Sequence, residues 1–354
     1  MTGLPQELLS TRLEEALSDV AVEPGGRTAS VGERLMTAPT PRALTGQLAT
    51  ALYQTVHVGR RPAEPGGEED RAPGTGLEDR DLEAGLATGV PHRHSRYRAR
   101  VLSATGGGPV VHLSGVRVRV APERIADGTA REEGTAPGAE ADVLVAAARR
   151  SLSPGFFLVD GSLPLAHQDS ILRVYLHVET PSVVFDAWGR SLRCLEEHGV
   201  PYRAKAISYT GGLPRRDGVV IYLGSEHQGL VGDLVGSLKG IALGAGASPF
   251  TQPLAPGIAM AWEPADPRPR MKNTSLGEHR SRAVAAGLVQ HATQPDDAPL
   301  SRSEVVRQAL LDAGIDPSEP ARNLSSPPFP GSLKSVDRRT TFHQKDLVPP
   351  PRPR

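Results

Sequence analysis

Residues 172–178 alternate strictly: Val174, Leu176 and Val178 point one way and Arg173, Tyr175 and His177 the other, the pattern of a strand. Thr180 can cap and Pro181 can start a helix, with Val184, Trp188, Leu192 and Leu195 on one face and Gly199 as its stop. Period two returns in residues 200–209 and places Arg203, Lys205, Ile207 and Tyr209 on a common face. Residues 219–223 and 258–262 read as further strands and 229–243 and 277–290 as helices. In 301–313 the spacing of Ser301 and Glu304 predicts a capping box ahead of an apolar helix face.

Upstream, 5–17 and 41–56 read as short helices, the second with Leu44, Leu48, Leu52 and Val56 on one face. From 60 to about 81 there is almost nothing to bury, which predicts a flexible linker. Residues 96–103 and 110–120 alternate around Gly106, Gly107 and Gly108 and read as two strands of a hairpin, the glycines being a turn and not a phosphate loop, since they open a strand. Residues 127–140 should be an exposed loop. The expectation is an α+β chain with a mixed β-sheet flanked by helices. Its parts are a helical N-terminal module (1–58), a linker (59–95), a β-hairpin subdomain (96–150), a core (151–315) and a disordered Pro-rich tail (316–354).

Composition narrows the chemistry. Glycine and proline supply 38 and 33 of 354 residues and aromatic residues only 4%, which suits long loops around a compact centre. Forty basic and forty acidic side chains cancel, so neither nucleic acid nor an anionic membrane is advertised. One cysteine, Cys194, excludes an intrachain disulfide and reads as a packing residue on its helix. No signal-peptide pattern or apolar run of spanning length appears, so a soluble, cytoplasmic protein is expected. Only five of the 40 basic residues are lysines, which raises interest in Lys205 on its strand.

If the helix after 178 is a crossover, the strands at 172–178 and 200–209 are parallel and could be neighbours, gathering Arg173, His177, Arg203 and Lys205 over one patch. Arginines there could fork onto a phosphate. An amine crowded by like charges gives up its proton more readily, which makes Lys205 the candidate base, and an imidazole beside a phosphate dianion holds its proton, which makes His177 the candidate acid. Base, acid and anion clamp together describe β-elimination of phosphate. A solvated, arginine-rich sheet face is the competing reading. Arg280 sits in the first turn of a helix, where an anion is favoured, or it pairs with a carboxylate such as Glu278; His279 beside it competes for the acid role. No metalloprotease pair, Walker loop, nucleophile elbow or dinucleotide fingerprint occurs, so no metal or organic cofactor is expected.

Ser153-Pro154-Gly155-Phe156-Phe157 followed by Arg173-Val174-Tyr175-Leu176-His177 resembles the HopA-type effector family. The likeness continues through Val200-Pro201-Tyr202-Arg203-Ala204-Lys205, residues 217–223, Pro253-Leu254-Ala255-Pro256-Gly257 and Ser275-Leu276-Gly277-Glu278-His279-Arg280, and spans about 96–291. Relatives of this kind act as lyases in class V lanthipeptide and thioamitide biosynthesis. They eliminate phosphate from Ser or Thr of a precursor peptide that an aminoglycoside-phosphotransferase-like kinase has phosphorylated. The resemblance implies Lys205 as base, His177 as acid, Arg203, Arg280 and Arg173 as phosphate ligands, and Tyr175 and Tyr209 as positioning residues. Gln252 stands where relatives often carry a basic residue, which would weaken the clamp by one cation; Lys272 could compensate. Two alternatives stay open: a non-catalytic scaffold that presents the precursor's leader to the kinase, and a secreted effector acting on host phosphoproteins. The hairpin edge and its arginines are a further candidate for gripping a peptide.

Overall fold

The computed structural model describes residues 8–60, 79–105, 108–126, 136–166, 170–269, 271, 274–295 and 300–329. The linker between 61 and 78, Gly106 and Gly107, most of the loop expected at 127–140, Lys272 and the tail from 330 lie outside them. The chain begins with α1 (Thr11–Ala16), then β1 (Val20–Val22), β2 (Thr28–Val31) and β3 (Arg34–Thr37), then α2 (Pro41–Leu52), which widens into a π-helix over Tyr53–Val58. The N-terminal module is therefore not wholly helical: strands too short for a period-two signal form a three-stranded meander. Residues 80–95 also depart from the linker expectation. Asp79 caps α3 (Arg80–Thr88), which buries Leu82 and Leu86, and Leu86 offers its carbonyl to the Trp188 indole at 3.0 Å.

Four strands follow, β4 (His94–Thr105), β5 (Gly108–Leu113), β6 (Val116–Arg119) and β7 (Glu140–Ala146), in the spatial order β6-β5-β4-β7. The expected single strand at 110–120 is two, because Ser114 and Gly115 have φ of 50° and 86° and turn the chain back on itself. The remaining elements are β8 (Ala148–Ser153), β9 (Phe156–Asp160), β10 (Ile171–Val178), α4 (Pro181–Glu197), β11 (Tyr202–Ile207), β12 (Arg215–Gly224), α5 (Val231–Ser237), β13 (Gln252–Ala255), β14 (Ile258–Trp262), α6 (Leu276–Ala292) and α7 (Arg302–Asp312). Thr180, Ser275 and Ser301 cap α4, α6 and α7, the latter two with full capping boxes, as the spacing at Ser301 predicts.

The central sheet has seven strands in the order β13-β14-β10-β12-β11-β9-β8, and all its ladders are antiparallel. β10 and β11 run parallel, as a crossover helix requires, yet they are not neighbours: β12 is inserted between them and pairs with both. The class is α+β, and the sheet lies between two layers. One face, with Val174, Leu176, Ala204, Ala206, Ile221 and Phe157, is closed by Val184, Trp188 and Leu192 of α4 and by α5; Phe157 meets Trp188 edge to face at 6.2 Å. Cys194 is buried there, and burial pushes its thiol pKa up, in keeping with a packing role.

The N-terminal module forms a second core with α6 and α7, where Leu13, Leu44 and Leu48 meet Val284, Leu288, Val306 and Leu310. Residues 316–329, expected as part of a disordered tail, are ordered: Ala321 and Asn323 are buried and Phe329 stacks on Trp262 at 6.1 Å. Among the described residues no helix is long and apolar enough to cross a membrane. Leu48 is fully buried in the second core, so Leu48→Ala should lower the unfolding free energy by about 2–5 kcal/mol. Exposed Glu33→Ala should stay within about 0.5 kcal/mol of the parent in the same denaturant titration.

Candidate functional site

The second face of the sheet carries the polar residues. Antiparallel pairing aligns Arg173, Tyr222, Arg203 and Asp160 in one row, and Tyr175, Val220, Lys205 and Leu158 in the next. Neighbours in a ladder share a face, so every candidate from β10 and β11 does lie on one side of the sheet. Period two in the sequence fixes this much; the partners come from elsewhere.

Three arginines of the face are met by carboxylates, while Arg216 of β12 donates to the Val56 carbonyl at 3.1 Å. Arg173 is buried and held by both oxygens of Glu263, with its guanidinium 5.0 Å from the Tyr222 ring. Burial opposes its charge, but Tyr175, Tyr222 and Glu263 outweigh that and hold its pKa above the usual value. Arg203 donates its Nε to Asp160 at 2.7 Å; the same fully buried carboxylate accepts from the Tyr97 hydroxyl at 2.9 Å and pairs with Arg149 at 2.9 Å. Arg215 is buried against Asp217 at 2.6 and 3.1 Å and donates to the Tyr53 hydroxyl at 2.9 Å. Burial would raise the Asp217 carboxyl, but Arg215 and His57 hold it well below the ordinary carboxylate range.

Lys205 differs. It is half-buried, its ammonium lies 4.2 Å from the centre of the Phe156 ring, and no carboxylate among the described residues forms an ion pair with it. Arg215 approaches the same ring at 5.0 Å. Two cations thus approach one aromatic ring, with Arg203 one pleat away on β11. Tyr209 is half-buried beside this group, its ring against Gly155 and Gly212.

His177 lies apart. Lys205 is level with Tyr175 across β12, and His177 is one pleat further on, so standard sheet spacings separate the two Cα atoms by roughly 12 Å. β12 carries Asp217 between them, and the π-helix of the N-terminal module seats His57 over it, 3.6 Å from the carboxylate and edge-on to Tyr175 at 5.8 Å. His177 instead is 3.1 Å from the Gly246 carbonyl through Nδ1 and 3.7 Å from Glu179 through Nε2, and burial lowers its pKa. The Gly244 position has no room for a Cβ, which would lie 2.5 Å from the His177 ring.

Arg280 is fully buried, and burial lowers its pKa to about 9. Its guanidinium donates to the carbonyls of Pro320 and Arg322, to Asn323 Oδ1 and to His279 Nδ1, and so ties α6 to the C-terminal segment. The carboxylate pairing imagined for it falls to His279, which meets Asp266 at 2.9 Å. The buried Tyr175 hydroxyl has no hydrogen-bond partner among the described residues, and burial pushes its pKa up. Gln252 is exposed on the edge strand β13, four strands away from β11, which carries Lys205. His57, Tyr53, Asp160, Asp217 and Glu263 escaped the sequence reading. Only Asp217, two residues from Arg215 just ahead of the apolar strand at 219–223, stood close to a basic residue in sequence.

The stretch from β8 to the bond between Arg280 and Arg322 holds every catalytic and phosphate-binding candidate expected from the sequence. Residues 147–322 match the HopA1 effector protein family. An effector protein from Pseudomonas syringae pv. tomato strain DC3000 is similar at 13% identity over 81% of this chain and 91% of its own, with a TM-score of 0.44. One from Pseudomonas syringae pv. syringae strain 61 is similar at 12% identity over 80% and 96%, with a TM-score of 0.42. No curated protein matches the chain. The HopA1-like segment begins after the four-stranded sheet and after the N-terminal module, so Tyr53 and His57 enter its sheet face from outside it.

Burial lowers the pKa of both His57 and His279 to about 4. An unfolded imidazole titrates near 6.5, so between these values the unfolded chain takes up protons that the folded one refuses. Stability should therefore be full above about pH 6.5 and fall as the pH drops toward 4. In urea titrations across that range His57→Gln should show a shallower fall than the parent, since His279 alone remains of the pair.

Proposed function

We propose that this chain is a phosphoserine or phosphothreonine lyase acting on a peptide, with Lys205 as its base. One observation carries the reading: Lys205 is half-buried against the Phe156 ring beside Arg215 and forms no close ion pair with a described carboxylate, while Arg173, Arg203 and Arg215 are each held by one. The amine takes the proton from the substrate's Cα, the electron pair forms the Cα=Cβ bond, and the Cβ–O bond breaks to release phosphate. Arg203 uses Nε on Asp160, which leaves its Nη groups for phosphate oxygens, and Tyr209 stands beside them as a positioning phenol. Arg173 and Arg280, committed to Glu263 and to the 320–323 segment, support the face from beneath.

His177 as acid requires a substrate that spans the ground over Asp217; otherwise the leaving group takes its proton within the Lys205 patch. The reaction needs a phosphorylated side chain, which a separate kinase must supply, and the resemblance in sequence points to an aminoglycoside-phosphotransferase-like enzyme as that partner and to a ribosomal precursor peptide as substrate. The matched family is one of effector proteins, which favours as a second reading the same chemistry on a phosphoprotein of a host cell.

Mass spectrometry of a synthetic phosphothreonine peptide incubated with the purified chain tests the reaction. Loss of phosphoric acid is expected, and Lys205→Ala should slow it by about 10²-fold or more while the peptide still binds. Normal turnover by Lys205→Ala would sink the assignment. A loss equally deep in His177→Ala would show that the substrate reaches both residues.

A further inference from the structure

The edge of the four-stranded sheet is built to accept another strand. β6 is its outermost strand, and Val116, Arg117, Val118 and Arg119 are all exposed. The left-handed pair Ser114 and Gly115 makes a two-residue hairpin turn, which sets Leu113 and Val116 as a hydrogen-bonded pair and every second pair after it likewise. Val120 donating to the Pro109 carbonyl at 2.8 Å keeps that alternation. The backbone groups of Val118 therefore face β5, and those of Arg117 face outward, where no described strand pairs.

Side-chain chemistry along this edge is two-sided. Val118 lies in register with buried Val111 and Val101 on the inner face, and Val116 and Val118 remain 57% and 36% exposed because the small core stops short of the edge. On the outer face Arg117 continues a row through His112 to Arg100, with Arg96 and Arg98 further along β4. Among the described residues the carboxylates of that face, Glu140 and Asp142, stand on β7 at the opposite edge and pair with Arg98 at 3.5 and 3.4 Å. The half of the sheet beside the open edge is thus basic on one side and apolar on the other.

We propose that β6 takes an extended acidic peptide as a fifth strand, its carboxylates at alternate positions facing the Arg117 row and its apolar residues lying beside Val116 and Val118. Pairing of two copies through this edge with continuous faces would set arginine opposite arginine, which disfavours a second copy as occupant. The surface precedes residue 147, outside the HopA1-like segment, and does not depend on the elimination chemistry.

Fluorescence anisotropy with the full chain and an end-capped peptide of alternating Glu and Val measures this directly, against an alternating Lys and Val peptide and a single-stranded oligonucleotide. The Glu peptide should bind and the Lys peptide should not. Arg117→Glu should weaken binding by about 10-fold or more, and so should Arg117→Pro, which removes an outward N–H but no bond to β5. Arg117→Glu alters only an exposed side chain and should keep the parent's melting curve, so its loss reports the surface. Absence of binding by the Glu peptide, affinity untouched by both variants, or tighter Arg117-dependent binding of the oligonucleotide would each overturn the proposal.

Discussion

Burying a guanidinium costs several kcal/mol unless a carboxylate or carbonyl oxygens meet it, and that requirement organises the central sheet. Arg173, Arg215 and Arg280 are almost wholly removed from water, and each is met: by Glu263, by Asp217, and by Pro320, Arg322 and Asn323. Those acceptors come from β14's end, from β12 and from the segment after α7, so charge compensation is also what ties distant parts of the chain together. Breaking one such pair would strand the other charge, which is why the face resists piecemeal change.

The same constraint separates support from chemistry. An arginine already saturated by protein acceptors holds the site in shape but has little left to offer a substrate. Arg203, at the rim, keeps donors in hand, and Lys205 leans on the Phe156 ring instead of a carboxylate. The N-terminal module completes the arrangement from outside the HopA1-like segment: Tyr53 accepts from Arg215, and His57 bridges Asp217 and Ser248, 3.0 Å from its Nδ1. This module shares a core with α6 and α7, so the same element contacts both the sheet face and the second core.

Local periodicity alone determined much of this molecule. Period two assigned Arg173, Tyr175 and His177 to one face, and Arg203 and Lys205 to another strand's matching face, since alternate side chains in a strand must diverge. Cap chemistry at Thr180 and Ser301 marked helix starts, because a side-chain oxygen there satisfies a backbone donor whatever the tertiary context. The motif segments at 153–157 and 173–177 and beyond pointed to the HopA-type family, and residues 147–322 match it.

Strand order was decided only in three dimensions. β12 follows β11 in the chain yet lies between β10 and β11, a choice made by long-range pairing that no local pattern encodes. That insertion moves His177 away from Lys205 and puts Asp217 in the gap. Likewise, the spacing around Arg280 suited an anion at a helix start, but the burial of Asn323 and Pro320 beside it supplied acceptors from 40 residues away in sequence. Sequence fixes which face a side chain occupies; which partners stand opposite depends on how the strands are ordered, and charge compensation is settled there.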